Sequence, residues 1–184
     1  MASPSTSSSW HTEHVYFRRL LALLQTELDA FHRGERPNYE VMLDIVAYLR
    51  EYGDAFHHPR EDVAFQRLAL RCPELRLDLA RLSQEHGVIA RAGETLRQQL
   101  EGILDGAFVP RAEVEVAAAT YLVYYASHLA KEDEQVLERA ASLLTEEDWQ
   151  AVRDAAGSAP DPLFGETPAE RYRALRRQIG AHSH

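Results

Sequence analysis

The sequence predicts an all-α fold: an up-down-up-down four-helix bundle with short helices at its C-terminal end. Three observations predict it. Apolar residues recur at alternating spacings of three and four, and no period-two run marks a strand. Prolines and glycines fall at a few breaks, leaving four long periodic segments with short connections. The chain has 184 residues of which 45% are hydrophobic, enough for one such core.

The elements follow in order. Met1 to Ser9 is Ser-rich, with no apolar run to make a secretory signal, and reads as a flexible tail. The first helix spans roughly Trp10 to Arg33, with Trp10, His14, Phe17, Leu21, Leu24, Leu28 and Phe31 inward, and Gly34 and Pro37 end it. Asn38 caps a second helix carrying Met42, Val46, Leu49 and Gly53; Pro59 must kink or restart it before it continues to about Arg71. Pro73 opens the third, whose stripe runs Leu75, Leu79, Leu82, His86, Ile89, Gly93, Leu96, Leu100, Ile103 to the stop at Asp105-Gly106. Pro110 opens the fourth, with Val114, Ala118, Tyr121, Tyr125, His128, Glu132, Val136, Ala140 and Leu143 inward. Thr145 to Asp148 has the form of a capping box for a short fifth helix, completing a bundle over residues 10–157. Residues 158–184 read as a loop, a short helix from Pro168 to about Ile179, and a tail.

Composition excludes several functions. The net charge is −9, which argues against a nucleic-acid partner. No segment approaches the ~20 apolar residues of a membrane span, so a cytoplasmic protein is expected. Cys72 is the single cysteine, so an internal disulfide and cysteine-based zinc sites are excluded. Lys131, the single lysine, follows Ala130, so no Gly-Lys phosphate loop exists.

What interrupts the stripes carries the chemistry. Each long helix has an inward histidine: His14, His57, His86 and His128. Glu61 and Glu132 lie four residues after His57 and His128, on the same helix faces. Depth follows by counting. His14 lies 19 residues before Arg33 and His57 lies 19 after Asn38; His86 lies 19 before Asp105 and His128 lies 18 after Pro110. At ~1.5 Å per residue all six side chains meet in one layer. A lone core histidine is ordinarily just packed, but two buried carboxylates at one level, with no Lys or Arg on the stripe there, would repel. A bound cation removes that penalty. Imidazole and carboxylate without sulfur suit iron or manganese, with zinc possible. Six ligands exceed one tetrahedral ion, so two ions bridged by the glutamates fit better. Glu-x-x-His, the mark of ferritin-like di-iron bundles, does not occur.

The ordered set His14, His57-His58-Pro59-Arg60-Glu61, His86 and His128-x-x-x-Glu132 resembles the hemerythrin-like, or HHE cation-binding, family. Phe31-His32-Arg33-Gly34-Glu35 and the stretch from Phe56 to Phe65 extend the likeness, which covers about Trp10 to Leu144; Asp161-Pro162-Leu163-Phe164-Gly165 is similar to the tail of some bacterial members. The resemblance implies a non-haem di-iron centre, oxo- or hydroxo-bridged, with manganese or zinc as lesser candidates. It implies His14 and His57 on one iron, His86 and His128 on the other, and Glu61 and Glu132 as bridges. Oxygen-carrying members have His-x-x-x-His on the third helix and end in His-x4-Asp. Here Leu82 and Ala90 flank His86 at that spacing, and His-x-x-x-Glu closes the set. One histidine is missing unless His58 supplies it. His58 points about 100° from His57 on a regular helix, although Pro59 could swing it inward; it is left as ligand or outer residue. His11, Tyr121 and Tyr125 are further candidates near the layer.

The reading is a di-iron protein that handles or senses dioxygen, nitric oxide, peroxide or iron, with a diatomic molecule or peroxide as partner and no protein partner specified. A di-iron enzyme, peroxidase-like or repairing iron–sulfur clusters, and a structural bundle with incidental metal are the alternatives.

Overall fold

The computed structural model describes residues 6–157 and 160–181. Among them all regular structure is helical: α1 Thr6–His32, α2 Tyr39–Tyr48, a π-helical segment Leu49–His57, α3 His58–Arg71, a 3₁₀ turn Pro73–Leu75, α4 Arg76–Leu104, α5 Arg111–Gln135, α6 Leu137–Leu143, α7 Glu146–Asp154, a 3₁₀ turn Glu170–Tyr172 and α8 Arg173–Ala181. No helix among the described residues is long and apolar enough to cross a membrane.

Helix ends follow local chemistry. Beyond α1 the chain turns at Gly34, whose φ of +80° disfavours any side chain. Asn38 caps α2, its Oδ1 accepting from the Val41 amide at 3.1 Å. Thr145 and Asp148 form the reciprocal capping box of α7. Three boundaries differ from the sequence expectation. Thr6 to Ser9 are helical and belong to α1; the rest of the expected tail, residues 1–5, lies outside the described residues. The fourth long helix bends at Val136 (φ −111°), and Leu143, expected inward, is 39% exposed while Leu144 is buried. The last helix runs from Arg173, after a 3₁₀ turn, rather than from Pro168.

Pro59 explains the π-helical segment. Proline has no N–H, and its ring crowds the carbonyl four residues back. The preceding helix widens, and the His58 amide donates to the Gly53 carbonyl five residues back. The chain therefore passes Pro59 without breaking, and α2, the π segment and α3 act as one arm.

That arm and α1, α4 and α5 pack in a ring. α1 contacts α2 and α5, and α4 contacts α2, α3 and α5. Two apolar clusters fill the interior. One contains Phe17, Ile45, Leu49, Ile89, Leu96 and Leu129; the other contains Trp10, Ala64, Phe65, Leu82, Val136 and Trp149. Every arm passes from one cluster to the other through the same polar layer: Trp10–His14–Phe17, Tyr52–His57–Ala64, Leu82–His86–Ile89, Leu129–Glu132–Val136. The C-terminal segment docks on the first cluster. Leu163 is fully buried, Tyr48 donates to Asp161 at 2.9 Å, and Phe164 stacks on Tyr16 with ring centroids 4.0 Å apart.

Candidate metal centre

The polar layer holds His14, His57, His58, Glu61, His86, His128 and Glu132, all at most 6% exposed. Two groups of side chains have ligand atoms close enough to share an ion: His14, His57 and Glu61, and His58, Glu61, His86 and His128. Glu61 belongs to both. Its Oε1 lies 2.8 Å from His57 Nε2 and 3.2 Å from His14 Nε2, and its Oε2 lies 3.5 Å from His86 Nε2. Glu132 spans the same gap, with Oε1 3.0 Å from His128 Nε2 and 3.7 Å from His86 Nε2, and Oε2 3.6 Å from His14 Nε2.

His58, left open by the sequence, lies inside the layer. It is 3% exposed, and its ring stacks on His86 at 4.2 Å with planes 7° apart. The widened helix before Pro59 turns less per residue than an α-helix, so consecutive histidines both face inward. His11 is exposed and outside the layer. Tyr121 and Tyr125 are fully buried on α5.

The histidines are oriented by carboxylates that the stripe reading missed. His14 Nδ1 meets Asp133 at 2.8 Å, His57 Nδ1 meets Glu13 at 2.5 Å, His86 Nδ1 meets Asp62 at 3.0 Å and His128 Nδ1 meets Glu85 at 3.2 Å. His58 Nδ1 lies 3.3 Å from Asp54, in ion-pair range but not aligned as a hydrogen bond. A carboxylate only accepts, so each aligned Nδ1 carries the proton and donates it. The Nε2 atoms are left to face one another, 3.2 Å apart for His14 and His57. Four of these acids adjoin a layer residue in sequence: Glu13 by His14, Asp62 by Glu61, Glu85 by His86, Asp133 by Glu132. That adjacency was the available signal.

The charges do not balance within the protein. Arg18 pairs with Asp133, Arg60 with Glu13 at 2.6 Å and Lys131 with Glu85 at 2.5 Å. Glu61, Glu132, Asp54 and Asp62 have no Lys or Arg within ion-pair distance among the described residues. Of these only Glu61 and Glu132 are buried, each 1% exposed, so two carboxylates stand inside the layer with no cationic side chain beside them, a charge that bound metal would balance. Buried atoms with no hydrogen-bond partner in the protein point the same way: Glu61 Oε2, both oxygens of Glu132, and Nε2 of His58, His86 and His128.

Taken as protein alone, the layer draws protons instead. Burial would lower His14, but Asp133 and Glu61 outweigh it and raise the group to about 10. Burial likewise opposes His86, which Asp62, Glu132 and Glu61 raise to about 11. Burial would raise Glu61, yet His57, His14 and His86 hold it well below the carboxylate range. His58 is the exception: burial and the neighbouring His86 push it well below 6.5, so it is neutral and its Nε2 lone pair is available. Burial raises Asp54 to about 7.

Comparison with known proteins follows this geometry. The family model described as the hemerythrin HHE cation binding domain matches residues 5–140. Nothing matches among curated proteins, and nothing among solved structures.

Proposed function

The chain belongs to the hemerythrin HHE cation-binding domain family, and from that membership we propose that it is a cytoplasmic, non-haem di-iron protein built as an up-down-up-down four-helix bundle, which handles or senses dioxygen, nitric oxide, peroxide or iron. One observation carries the reading: two histidine groups share Glu61, while Glu132 reaches both from the opposite arm. The donor set of five imidazoles and two carboxylates suits ions that take more than four ligands, which favours iron over zinc. His14 and His57 would hold one ion, His58, His86 and His128 the other, with Glu61 and Glu132 common to both. Bound there, two iron ions would supply one-electron steps in pairs and open positions for a small molecule.

The protein's own part is to orient and to insulate. Glu13, Asp62, Glu85 and Asp133 fix the tautomers of His57, His86, His128 and His14, so none of these four must reorient when an ion arrives. Arg18 and Lys131 help hold Asp133 and Glu85 below the usual carboxylate range, and Arg60 pairs with Glu13. The apolar clusters on either side exclude bulk water, which strengthens every interaction within the layer. Anaerobic loading with Fe(II) followed by metal analysis tests the proposal. About two iron ions per chain are expected; one ion per chain, or zinc retained in preference, would overturn it.

A further inference from the structure

Beside the metal layer lies a second set of buried polar groups that metal binding does not use. Tyr121 and Tyr125 are both 0% exposed, and neither hydroxyl has a hydrogen-bond partner in the protein. An unsatisfied buried hydroxyl is costly, and phenylalanine would fill the same apolar space without that cost. The side chains are well fixed. Their rings meet edge to face at 5.5 Å, and the Tyr125 ring lies 5.8 Å from that of His58 and 6.1 Å from Phe17. The Tyr125 hydroxyl rests against the π-helical segment at Gly53, where any Cβ would stand only 2.6 Å away. Glycine therefore leaves the room that this hydroxyl occupies. Asp54, the next residue, is partly buried; both its carboxylate oxygens are out of reach of solvent, and neither makes an aligned hydrogen bond.

The electrostatics agree with this placement. Burial raises both phenols well above 10, so both stay protonated and can donate. Asp54 acts on both, and Glu61 and Glu132 act on Tyr125. Tyr125, with its hydroxyl at Gly53 and its ring beside His58, thus lies within electrostatic reach of both shared glutamates and of Asp54. Tyr121 continues the line toward Arg50, whose Cγ meets the same glycine, Gly93, that the Tyr121 ring covers.

We propose that Tyr125, backed by Tyr121 and Asp54, is the hydrogen-bonding side of a pocket for the non-protein ligand of the metal pair, a small hydrogen-bond-accepting anion or oxygen species. The Tyr125 hydroxyl donates to that ligand and is left without a partner in the protein alone. This rests on the two-ion reading above, and the experiment separates the two. Wild type, Tyr125→Phe, Tyr121→Phe and the exposed-ring control Tyr124→Phe are loaded with iron, oxidised, assayed for metal and titrated with azide, following the absorbance of the adduct. All four proteins should hold two iron ions. Azide affinity should fall roughly tenfold or more in Tyr125→Phe, as for loss of one hydrogen bond to a charged group, less in Tyr121→Phe, and not at all in Tyr124→Phe. The metal-free Tyr125→Phe protein should melt no lower than wild type, because it loses only an unsatisfied hydroxyl. Unchanged azide affinity in iron-loaded Tyr125→Phe would overturn this inference and leave the di-iron reading standing. So would a lower metal-free melting temperature or a loss of iron, either of which makes the hydroxyl a structural support. Wild type without an iron pair would end both.

Discussion

Replacing Glu61 with glutamine tests the centre where its two halves join. The substitution keeps the volume and removes the charge and one acceptor oxygen from a residue 2.8 Å from His57 Nε2 and 3.5 Å from His86 Nε2. A group that merely orients a metal ligand is worth about 10–100-fold in affinity. Glu61 faces both ions directly, so a loss of about 100-fold for each is a minimum by the same comparison. Through mass action that loss removes about 2.7 kcal/mol of metal-dependent stability per ion, or about 5 kcal/mol for the pair. At about 2–4 °C per kcal/mol in a domain of this size, the rise in Tm on adding metal should shrink by roughly 10–20 °C. The assay is thermal melting by circular dichroism, with and without Fe(II) under anaerobic conditions, on wild type, Glu61→Gln and the exposed control Glu134→Gln. Taking the difference between loaded and unloaded protein cancels what the mutation does to the fold alone. A metal-induced shift in Glu61→Gln equal to that of wild type, with two ions still bound, would refute the assignment of Glu61 as the shared ligand.

Three further outcomes are expected. His58→Ala should keep about one tightly held ion, on His14, His57 and Glu61, and lose the second; two ions retained on metal analysis would place His58 outside the ligand set. The metal-free protein should lose stability as pH rises: His14 and His86 are raised from 6.5 to about 10 and 11, so their contribution is complete below 6.5 and is lost through those higher values. Bound metal replaces those protons, so melting curves of the loaded protein between pH 7 and 10 should lack this slope; parallel slopes would contradict the argument. Thr145→Ala breaks the capping box of α7 and should cost about 1 kcal/mol, or roughly 2–4 °C of Tm, without changing metal content.

Much of the helical framework can be read from local signals. Asn38, Gly34 and Thr145-x-x-Asp148 mark helix boundaries because each satisfies backbone groups within a few residues, so distant contacts have little say. The convergence of His14, His57, His86, His128, Glu61 and Glu132 follows from helix rise, which is nearly independent of packing. His58 was not decidable on that basis. Its direction depends on how the helix absorbs Pro59, and periodicity assumes a constant turn per residue, which the π-helical segment Leu49–His57 does not keep. The bend at Val136 has no proline or glycine behind it and leaves no local mark; it shifts burial from Leu143 to Leu144.

The orienting acids were hidden for a different reason, and their pattern bears on the topology. Reading only the inward stripe discards its immediate neighbours, which lie about 100° around the helix. In a ring of helices that direction faces the adjacent helix rather than solvent. Each acid accordingly serves the next arm: Glu13 of α1 holds His57, Asp62 of α3 holds His86, Glu85 of α4 holds His128, and Asp133 of α5 holds His14, which closes the circuit. On α1 and α4 the acid precedes the layer residue; on α3 and α5 it follows. A step back along a right-handed helix and a step forward along an antiparallel one rotate in the same sense when viewed from one end. One continuous circuit therefore requires α1 and α4 to run one way and α3 and α5 the other. The alternating acid positions thus support the up-down-up-down order independently of the loops. They also tie each histidine's orientation to the placement of a neighbouring arm, so that replacing Glu85 should disturb the ion held by His128 on α5 although the substitution lies on α4.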